Sequence, residues 1–569
     1  MKLYQEYKKI LTDSQKLKKA YFTTFNLSAE FFENYLLPPL VGEDIPDNPY
    51  LLEDINSSFE NSKIDLKVFY DANMYMANEA KRTVVKFYPI LLKEGLFHPK
   101  VIYLEYETDA VLFVGSGNIT LSGWGRNTEA FKIVKMNKQS RLFQQVTNFF
   151  IDVELLAGIR KNNTKIKNLQ NDDKGINFIY SFNREKKFLE SLHLDKKLYV
   201  WSPYFSDIKT ILSKKEFTSL DMIAIVPDLV DNKMRVANIY ENEKIQYLYH
   251  KREENINMNH SKVWISDTKL AIGSYNCTVE AIDAINFEAA LVEDIDISNI
   301  KGLPIRHLDD LRAMETDELE KESLDITNQF KAIFELIADW QTQTLQLKQI
   351  IPEKQYTDIT LLLPSHTQLN IANMQVHLSE QEKELFFRAL IKNKLFKVFN
   401  GDEFLFEGIV LEENTKNFRE PLKVETLDDV LSSFIDKKDP LSAKYMKSKI
   451  INYDENPDEF MMVEKNSQNF LNYFNLFSGF VNMKSKLEKI EKDSDLQKFC
   501  FNSSNSISAM KYVINKNKVN SLFTYLFIDE LNDLIQLANK KLKNEKIEFV
   551  DNVKIKLTGK DKKFIKVMK

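Results

Sequence analysis

The residues that decide the fold of this chain form one pattern that occurs twice. The first copy reads His98-Pro-Lys100, then Gly115-Ser116-Gly-Asn118-Ile-Thr120, then Asn127-Thr-Glu129-Ala130. The second copy reads His260-Ser-Lys262, then Gly273-Ser274-Tyr-Asn276-Cys-Thr278, then Asn286-Phe-Glu288-Ala289. The two copies start 162 residues apart, and their residue types recur in the same order. Ordered repetition of this kind indicates a duplicated unit, with two half-sites that close on one phosphate.

Each copy contains a predicted β-hairpin. After the His-x-Lys comes a run of β-forming residues, Val101–Leu104 or Val263–Ile265, followed by a polar turn. The chain then returns through residues 111–114 or 270–272 into the Gly-Ser. The first hairpin is four residues longer, and an even difference keeps the same side-chain faces. Both hairpins are therefore expected to place His and Lys on one arm and Ser and Asn just beyond the other.

The residue types in the two copies predict phosphoryl chemistry. A neutral imidazole can attack phosphorus, and a protonated one can give its proton to the leaving oxygen. Lys100 and Lys262 would supply positive charge for the non-bridging oxygens, and Asn118 and Asn276 would supply neutral donors to the same atoms. Two histidines with unlike protonation states would therefore divide cleavage into formation and hydrolysis of a phosphohistidine.

The glutamates complete the predicted set. Glu129 and Glu288 follow the asparagines by 11 and 12 residues. We expect each of them to accept the far ring N–H of its histidine, which would set the tautomer and orientation of the ring. None of these groups requires a metal or another cofactor. Taken singly, a Gly-Ser-x-Asn is more often a plain turn, and a lone glutamate is more often a solvated side chain.

These segments resemble the paired His-x-Lys-x4-Asp and Gly-Ser-x-Asn signatures of the phospholipase D superfamily. The second copy fits well, with Asp267 as its aspartate, whereas the first copy has Glu105 at that place and Asp109 further on. The resemblance covers roughly residues 60 to 300. It implies a metal-independent phosphodiesterase whose two half-sites meet across a pseudo-two-fold axis. By similarity His98 is the nucleophile and His260 the general acid, although the reverse order is open. The implied catalytic set is His98, Lys100, Ser116, Asn118, Glu129, His260, Lys262, Asp267, Ser274, Asn276 and Glu288.

The resemblance favours a nuclease that acts on DNA. The segments Gly-Ser-Gly-Asn-Ile-Thr and Asn-Thr-Glu are similar to those of bacterial nuclease and restriction-associated members of the superfamily. The tyrosyl-DNA phosphodiesterase members lack the motif aspartate, as the first copy does. Such members serve in phage defence or DNA processing, sometimes beside a helicase or ATPase. This chain has no Gly-x4-Gly-Lys-Ser/Thr, so a motor would be a separate partner. Two alternatives remain: a phospholipid-cleaving enzyme with the same histidines, and a nucleic-acid-binding protein with an inactive site.

Composition limits the cellular setting. The chain of 569 residues carries 78 basic and 83 acidic side chains, so its net charge of −5 gives no global signal for nucleic acid. The last thirty residues, 540–569, hold 11 lysines and 4 acidic residues, which would suit a phosphate backbone or a plain solvated tail. Two cysteines fit a reducing compartment, and no apolar run is long enough to span a membrane. A cytoplasmic protein is expected.

The domain order follows from periodicity and turn signals. We expect an α/β fold with two pseudo-symmetric lobes of the phospholipase D type. The first lobe would cover 1–165 with a helix over 14–36, and the second 175–300 after the lysine-rich linker 161–175. Phe330, Ile333, Phe334 and Ile337 recur at helical spacing and predict a helical connector over 301–355. A small α+β unit over 356–412, with a hairpin at 400–401, and a mainly helical domain over 413–569 complete the prediction. Because both half-sites lie in one chain, the oligomeric state is left open.

Overall fold

The computed structural model shows two compact units. The first unit comprises Met1–Gly42 and Ser62–Arg419, and the second comprises Glu43–Asn61 and Glu420–Lys569. The residues that the structure describes are 2–12, 16–43, 52–74, 83–167, 175–182, 187–236, 238–248, 258–300, 311–314, 330–351, 356–391, 393–416, 418–419, 473–491, 493–502, 506–516, 522–543, 546–551 and 558–568.

The first unit contains a six-stranded sheet that carries the first copy of the motif. Its strands are β1 (Lys19–Thr24), β2 (Asp65–Asp71), β3 (Phe87–Ile90), β4 (Val101–Glu105), β5 (Asp109–Gly115) and β6 (Phe131–Asn137). They lie in the order β3-β2-β1-β4-β5-β6. Strand β1 pairs parallel with β2 and antiparallel with β4, and β4 and β5 form the predicted hairpin, which is confirmed.

A seven-stranded sheet in the same unit carries the second copy. Its strands are β7 (Asn177–Tyr180), β8 (Lys197–Ser202), β9 (Met222–Pro227), β10 (Ile245–Tyr247), β11 (Val263–Ser266), β12 (Lys269–Gly273) and β13 (Ala289–Asp294). Their order is β10-β9-β8-β11-β12-β13-β7. Strand β8 pairs parallel with β9 and antiparallel with β11, and β11 and β12 form the second predicted hairpin. Apart from the added β7, this sheet repeats the strand order of the first.

The helix predicted over 14–36 is wrong in its first half. The described part of this stretch contains strand β1, five of whose six residues are buried, and helical turns only from Ala29 onward. Tyr21, Phe22 and Thr23 are β-forming residues, and a strand buried on both faces shows no alternation that sets it apart from a buried helix. The helical turns run over Ala29–Phe31, Phe32–Leu36 and Leu37–Leu40, after a helix at Lys2–Thr12.

One long helix joins the two sheets. The prediction of a helix over 139–159 is confirmed as Arg141–Leu156, which begins where the Ser140 hydroxyl accepts a hydrogen bond from the Phe143 N–H at 3.1 Å. Its buried residues Val146, Phe149 and Val153 belong to a core cluster that also includes Phe287 of the second copy. The helix therefore contributes to a core shared by both copies of the motif.

The predicted helical connector is wrong over 333–351. Two antiparallel strands, Ile333–Asp339 and Thr344–Ile351, occupy this stretch and meet in a turn where Gln343 has a φ of 52°. Phe334, Leu336 and Ala338 are buried, with the half-buried Glu335 and Ile337 between them, so the burial period is two. The spacing of apolar residues over 330–337 also fits a helix, and β-sheet pairing decided the conformation. Residues 301–310, 315–329 and 352–355 of the connector lie outside the described residues.

The stretch predicted as a small α+β unit contains a four-stranded sheet and a helix. In sheet order its strands are Gln368–Ala372, Asp358–Leu362, Leu395–Asn400 and Glu403–Ile409, and the helix is Glu380–Leu390. The hairpin predicted at 400–401 is confirmed. Strand Leu411–Glu413 pairs parallel with Ile333–Asp339. The remaining short elements of the first unit are the strands Leu229–Val230, Lys233–Met234 and Arg312–Ala313 and the helical turns Ala72–Met74, Leu121–Gly125, Phe188–Ser191, Ile208–Leu212, Lys215–Phe217, Val279–Ile282 and Ile297–Asn299.

The described part of the second unit is helical. Its helices are Leu52–Ser62 (which ends at the first residue of the neighbouring segment), Tyr473–Lys489, Asp493–Gln497, Lys498–Asn502, Ile507–Lys516, Leu522–Lys541 and Gly559–Met568. Phe480, Met483, Phe527 and Leu531 lie in one buried cluster. Residues 544–545, 552–557 and 569 of the lysine-rich tail lie outside the described residues, as do 168–174 of the predicted linker. Within the described ranges, none of the helices combines the length and apolar character needed to cross a membrane.

Candidate active site

The Gly-Ser steps bring the ends of two strands into close contact. At Gly115 an added Cβ would lie 2.4 Å from the Ala130 carbonyl oxygen, and at Gly273 it would lie 2.2 Å from that of Ala289. Such distances are shorter than any van der Waals contact, so a side chain there would force the strands apart. Glycine is therefore the residue that lets the following serine sit beside the segment that carries the glutamate.

Backbone hydrogen bonds join the two copies at their functional residues. The His98 N–H donates to the Phe287 carbonyl at 2.9 Å, and the His260 N–H donates to the Thr128 carbonyl at 2.9 Å. Each bond connects a histidine of one copy to the residue just before the glutamate of the other copy. The two sheets therefore meet at the motif, with a short parallel bridge on each side.

Each histidine is bound by the glutamate of the opposite copy. The Nδ1 atom of His98 lies 2.8 Å from Oε2 of Glu288, and Nδ1 of His260 lies 2.9 Å from Oε1 of Glu129. The prediction that each glutamate serves the histidine of its own copy is therefore wrong. Within one copy an intervening strand separates the two, which places them about 10 Å apart across the sheet. The backbone bridges between the two copies instead place each histidine beside the glutamate of the opposite copy.

The two serines orient the glutamates. Ser116 Oγ donates to Oε2 of Glu129 at 2.5 Å, and Ser274 Oγ donates in the same way to Oε2 of Glu288. Both serines are fully buried. They therefore lie behind the carboxylates, and their hydroxyls are engaged there and not with a phosphate. Asn286 also assists, with its Nδ2 3.4 Å from Oε1 of Glu288.

The two lysines are buried beside the histidines. Lys100 Nζ donates to the His98 carbonyl at 2.7 Å, and Lys262 Nζ donates to the His260 carbonyl at 2.9 Å. Lys262 Nζ also lies 2.9 Å from Nε2 of His260. An ammonium group can only donate, so in this arrangement Nε2 accepts and the imidazole carries its proton on Nδ1, toward Glu129. Both ammonium groups are thus held next to imidazole rings.

The two asparagines are held by matched hydroxyl groups. Oδ1 of Asn118 lies 3.3 Å from the Asn26 N–H and 3.4 Å from the Thr24 hydroxyl, and Oδ1 of Asn276 lies 3.4 Å from the Ser202 hydroxyl. With the carboxamide oxygen engaged, the amide NH₂ is the group that each side chain can offer to a phosphate oxygen.

Asp267 is not brought to the site. It lies in the turn at the far end of the β11–β12 hairpin, where its Oδ2 accepts the backbone N–H groups of Lys196 and Lys197, each at 2.9 Å. The five-residue separation from Lys262 along an extended strand corresponds to about 16 Å. The structure therefore does not bring Asp267 to the histidines and lysines, and its contacts fix the start of β8. In the first copy Glu105 ends β4 and pairs with Lys138 and Lys19.

Sequence reasoning missed two buried aspartates. Asp71 follows β2 and accepts the Phe97 N–H at 2.8 Å, and Asp228 follows β9 and accepts the Asn259 N–H at 2.7 Å. Phe97 and Asn259 directly precede His98 and His260. The signal was an aspartate just after an apolar run in both copies, residues 68–70 before Asp71 and residues 223–227 before Asp228. These carboxylates hold the two histidine segments in the same way.

Burial and neighbouring charge set the protonation of the first histidine pair. Burial, together with the charges of Lys100 and Lys262, holds the pKa of His98 well below its ordinary value. Burial raises the pKa of Glu288, which is 0% exposed, from 4.5 to about 7, although Lys100 opposes the shift. His98 is therefore neutral at pH 7, and Glu288 changes its charge near that pH.

In the second pair, His260 and Glu129, the pKa of the carboxylate is shifted in the opposite direction from that of Glu288. Burial alone would raise the pKa of Glu129, but the charge and hydrogen bond of His260 outweigh it, so the pKa lies below its ordinary value. Burial lowers the pKa of His260, and the carboxylate of Glu129 opposes that shift. Burial also lowers the pKa of Lys262 to about 8. The pKa of His260 therefore stays below its ordinary value, and the ionised carboxylate of Glu129 would stabilise an imidazolium once the ring gains a proton.

No family model and no curated protein matches the sequence. Among solved structures, polyphosphate kinase from Porphyromonas gingivalis is similar at 9% identity and a TM-score of 0.32, over 52% of this chain and 42% of that one. Yeast tyrosyl-DNA phosphodiesterase is similar at 12% identity and a TM-score of 0.32, over 52% of this chain and 87% of that one. Both structures belong to the phospholipase D superfamily, the family that the motifs resemble. Likeness at this level does not extend to activity. Among the described residues, no group of His, Cys, Asp and Glu side chains has the arrangement of a metal site.

Proposed function

We propose that this chain is a phosphodiesterase of the phospholipase D superfamily, with two pseudo-symmetric lobes that share one active site. More specifically, we propose a nuclease that cleaves DNA without a metal ion. The observation that carries the proposal is the pair of crossed contacts, in which each buried imidazole holds its Nδ1 against a glutamate of the opposite copy. This arrangement leaves Nε2 of His98 for attack, and Nε2 of His260 becomes available for proton transfer once a phosphate oxygen replaces it as the acceptor for Lys262.

The first step joins phosphorus to His98. Nε2 of His98, neutral because of its low pKa, attacks phosphorus, and the P–O bond to the leaving oxygen breaks. That oxygen takes a proton from Nε2 of His260, whose pKa the anionic phosphodiester would raise once it lies beside the ring, with the ionised Glu129 holding the imidazolium. Lys100, Lys262 and the two asparagine amides stabilise the charge on the non-bridging oxygens. A phosphate oxygen would replace Nε2 of His260 as the acceptor for Lys262.

The second step hydrolyses the phosphohistidine. His260, now neutral, takes a proton from water, the water oxygen attacks phosphorus, and the P–N bond breaks. His98 and His260 return to their first states. The assignment of the nucleophile rests on the pKa contrast between the two pairs, with Glu288 raised to about 7 and Glu129 lowered. The two histidines titrate as a coupled system, so a pH profile reports on the whole site.

Nucleic acid is the substrate that the chain itself favours. The segment 540–569, with a net charge of +7, would bind along a phosphate backbone. The segment Gly-Ser-Gly-Asn-Ile-Thr resembles that of nuclease members of the superfamily. A role in phage defence or DNA processing, with a separate helicase or ATPase, belongs to this proposal.

The test is cleavage of labelled single- and double-stranded DNA and RNA in excess EDTA. The wild type is compared with His98→Ala, His260→Ala and the control His377→Ala, an exposed histidine in a loop. We expect EDTA-resistant cleavage of DNA that is lost in the first two variants and kept in the control. Cleavage of phosphatidylcholine or cardiolipin vesicles with none of DNA would refute the nuclease and select a lipid enzyme.

A second test identifies the nucleophile. A p-nitrophenyl leaving group needs no proton, so His260→Ala should still form the phosphohistidine from a p-nitrophenyl phosphodiester but hydrolyse it slowly. Acid-sensitive label should then collect on His98 in peptide mapping. Label on His260 in the His98→Ala variant, with none on His98 in the His260→Ala variant, would reverse the assignment.

A further inference from the structure

We propose that Tyr204 and Arg235 form a stacking subsite beside His260, and that this subsite receives the nucleobase on the leaving-group side of the cleaved phosphodiester. The inference rests on the proposed nuclease function and names the substrate group that the second half of the site recognises. It follows from three observations: an exposed ring next to a catalytic imidazole, a guanidinium over that ring, and, among the residues that the structure describes, no matching exposed ring beside His98.

Tyr204 presents its ring at the edge of the site. The ring centroid lies 6.5 Å from that of His260, with the two planes at 81°. The Tyr204 carbonyl accepts a hydrogen bond from the Ser202 hydroxyl at 2.6 Å, and the same hydroxyl lies 3.4 Å from Asn276. The backbone of Tyr204 is therefore tied to a residue of the phosphate site. Tyr204 is 38% exposed, although the histidine beside it is buried and a large aromatic side chain in such a place is usually buried too.

Arg235 is fixed against the same ring. Its guanidinium carbon lies 5.8 Å from the Tyr204 ring centroid, and Nη1 donates to Oδ2 of Asp228 at 2.7 Å. Asp228 also accepts the Asn259 N–H, one residue before His260. The Arg235 side chain is 11% exposed and that of Asp228 is 2% exposed. The buried carboxylate of Asp228 thus connects the guanidinium to the histidine segment, and the guanidinium in turn lies over the Tyr204 ring. An aromatic ring beside a cation suits a flat, electron-rich base next to a phosphate.

The first half of the site is built differently. The ring next to His98 is that of Phe25, 5.0 Å away between centroids and only 7% exposed. Lys100 already lies over this ring, with Nζ 5.4 Å from its centroid. Asp71, the counterpart of Asp228, accepts backbone N–H groups of Phe97 and Asn73. Of the two described rings that contact a catalytic histidine, Tyr204 is the exposed one, so the two halves differ in what they offer a substrate.

The difference assigns the base to one side of the cleaved bond. His260 donates the proton to the leaving oxygen, so the nucleoside that carries this oxygen departs past His260. Its base then lies over Tyr204. The part of the strand that stays bound to phosphorus lies on the side of His98, where the ring of Phe25 is buried. A base on the leaving side should therefore speed cleavage, whereas a base on the retained side should matter less.

The experiment uses the full chain and oligonucleotides with a single phosphodiester among methylphosphonate linkages. An abasic ring replaces the nucleoside on either the released or the retained side of that linkage, and label trapped on the protein by an alkaline, denaturing quench shows which side is retained. The wild type should have a kcat/KM about tenfold higher for a base than for an abasic ring on the released side, as one stacked base provides. Tyr204→Leu should lose this ratio while cleaving the released-side abasic substrate at the wild-type rate. Tyr204→Phe should keep the ratio, as should the control Phe404→Leu, whose ring is 42% exposed in another sheet.

Any other result would overturn the proposed subsite or its assignment to the released side. A ratio unchanged in Tyr204→Leu shows that the base does not stack there. An equal loss on base-bearing and abasic substrates shows that Tyr204 acts only by supporting His260. A ratio that depends on the retained side reverses the assignment of sides. If the wild type cleaves none of these strands, the proposed nuclease fails and the subsite with it, whereas cleavage with no preference for a base refutes the subsite alone.

Discussion

The pH profile of the proposed phosphodiesterase should show an acid limb near pH 7 to which Glu288 contributes within the coupled titration of the whole site. This carboxylate is fully buried and accepts from Nδ1 of His98, from the Ser274 hydroxyl and from Asn286. Burial raises its pKa to about 7. The ionised form holds the ring N–H of His98 and stabilises the charge that the ring acquires on attack. Activity should therefore be present above this pKa and fall as the pH decreases through it.

The size of the effect follows from the titration. With a pKa of about 7, about one-tenth of the molecules carry ionised Glu288 at pH 6 and about nine-tenths at pH 8. We expect kcat/KM to fall about tenfold for each pH unit well below 7. Glu129, whose pKa is lowered, is ionised throughout this range and adds no limb.

Two isosteric variants separate the two glutamates. Glu288→Gln keeps an acceptor for His98 but cannot titrate, so the acid limb should vanish while the rate falls between about 10²- and 10⁴-fold. Glu129→Gln should lose a similar amount and keep the limb. The assay is kcat/KM between pH 5.5 and about 9 in EDTA, with constant ionic strength. A limb that survives in Glu288→Gln and disappears in Glu129→Gln would refute the assignment of roles.

Three further outcomes are expected. Because burial lowers the pKa of Lys262 to about 8, kcat/KM of the wild type should fall above pH 8, and Lys262→Arg should remove this alkaline limb; a limb unchanged in that variant contradicts it. Asp228→Ala leaves the buried Asn259 N–H without its carboxylate, so unfolding should require about 1–3 kcal/mol less and kcat should fall, as thermal denaturation and kinetics would show. Gly273→Ala places a Cβ 2.2 Å from the Ala289 carbonyl oxygen and should destabilise the chain by about 1–3 kcal/mol in urea, whereas Gly559→Ala, with no atom within 4 Å of the added Cβ, should be neutral.

Local features were predictable because they depend on neighbouring residues. Both hairpins formed as predicted, since β-forming runs separated by short polar turns leave few other conformations. The helix Arg141–Leu156 also formed, because its apolar residues repeat at helical spacing behind the Ser140 cap. Two stretches were predicted wrongly. Strand β1 and the strand Ile333–Asp339 pack at least one face in a core, and a short apolar run does not distinguish a buried strand from a buried helix.

The sequence by itself determined which residue types the site contains, through the repeated His, Lys, Asn and Glu. Only the tertiary structure decided how they pair. The crossed contacts from His98 to Glu288 and from His260 to Glu129 depend on the backbone bonds between the two sheet ends. The same meeting of the sheets leaves Asp267 in a distant turn. Residue chemistry is encoded position by position, whereas these contacts join residues up to 190 positions apart. Packing of the whole first unit, and not local propensity, brings such residues together.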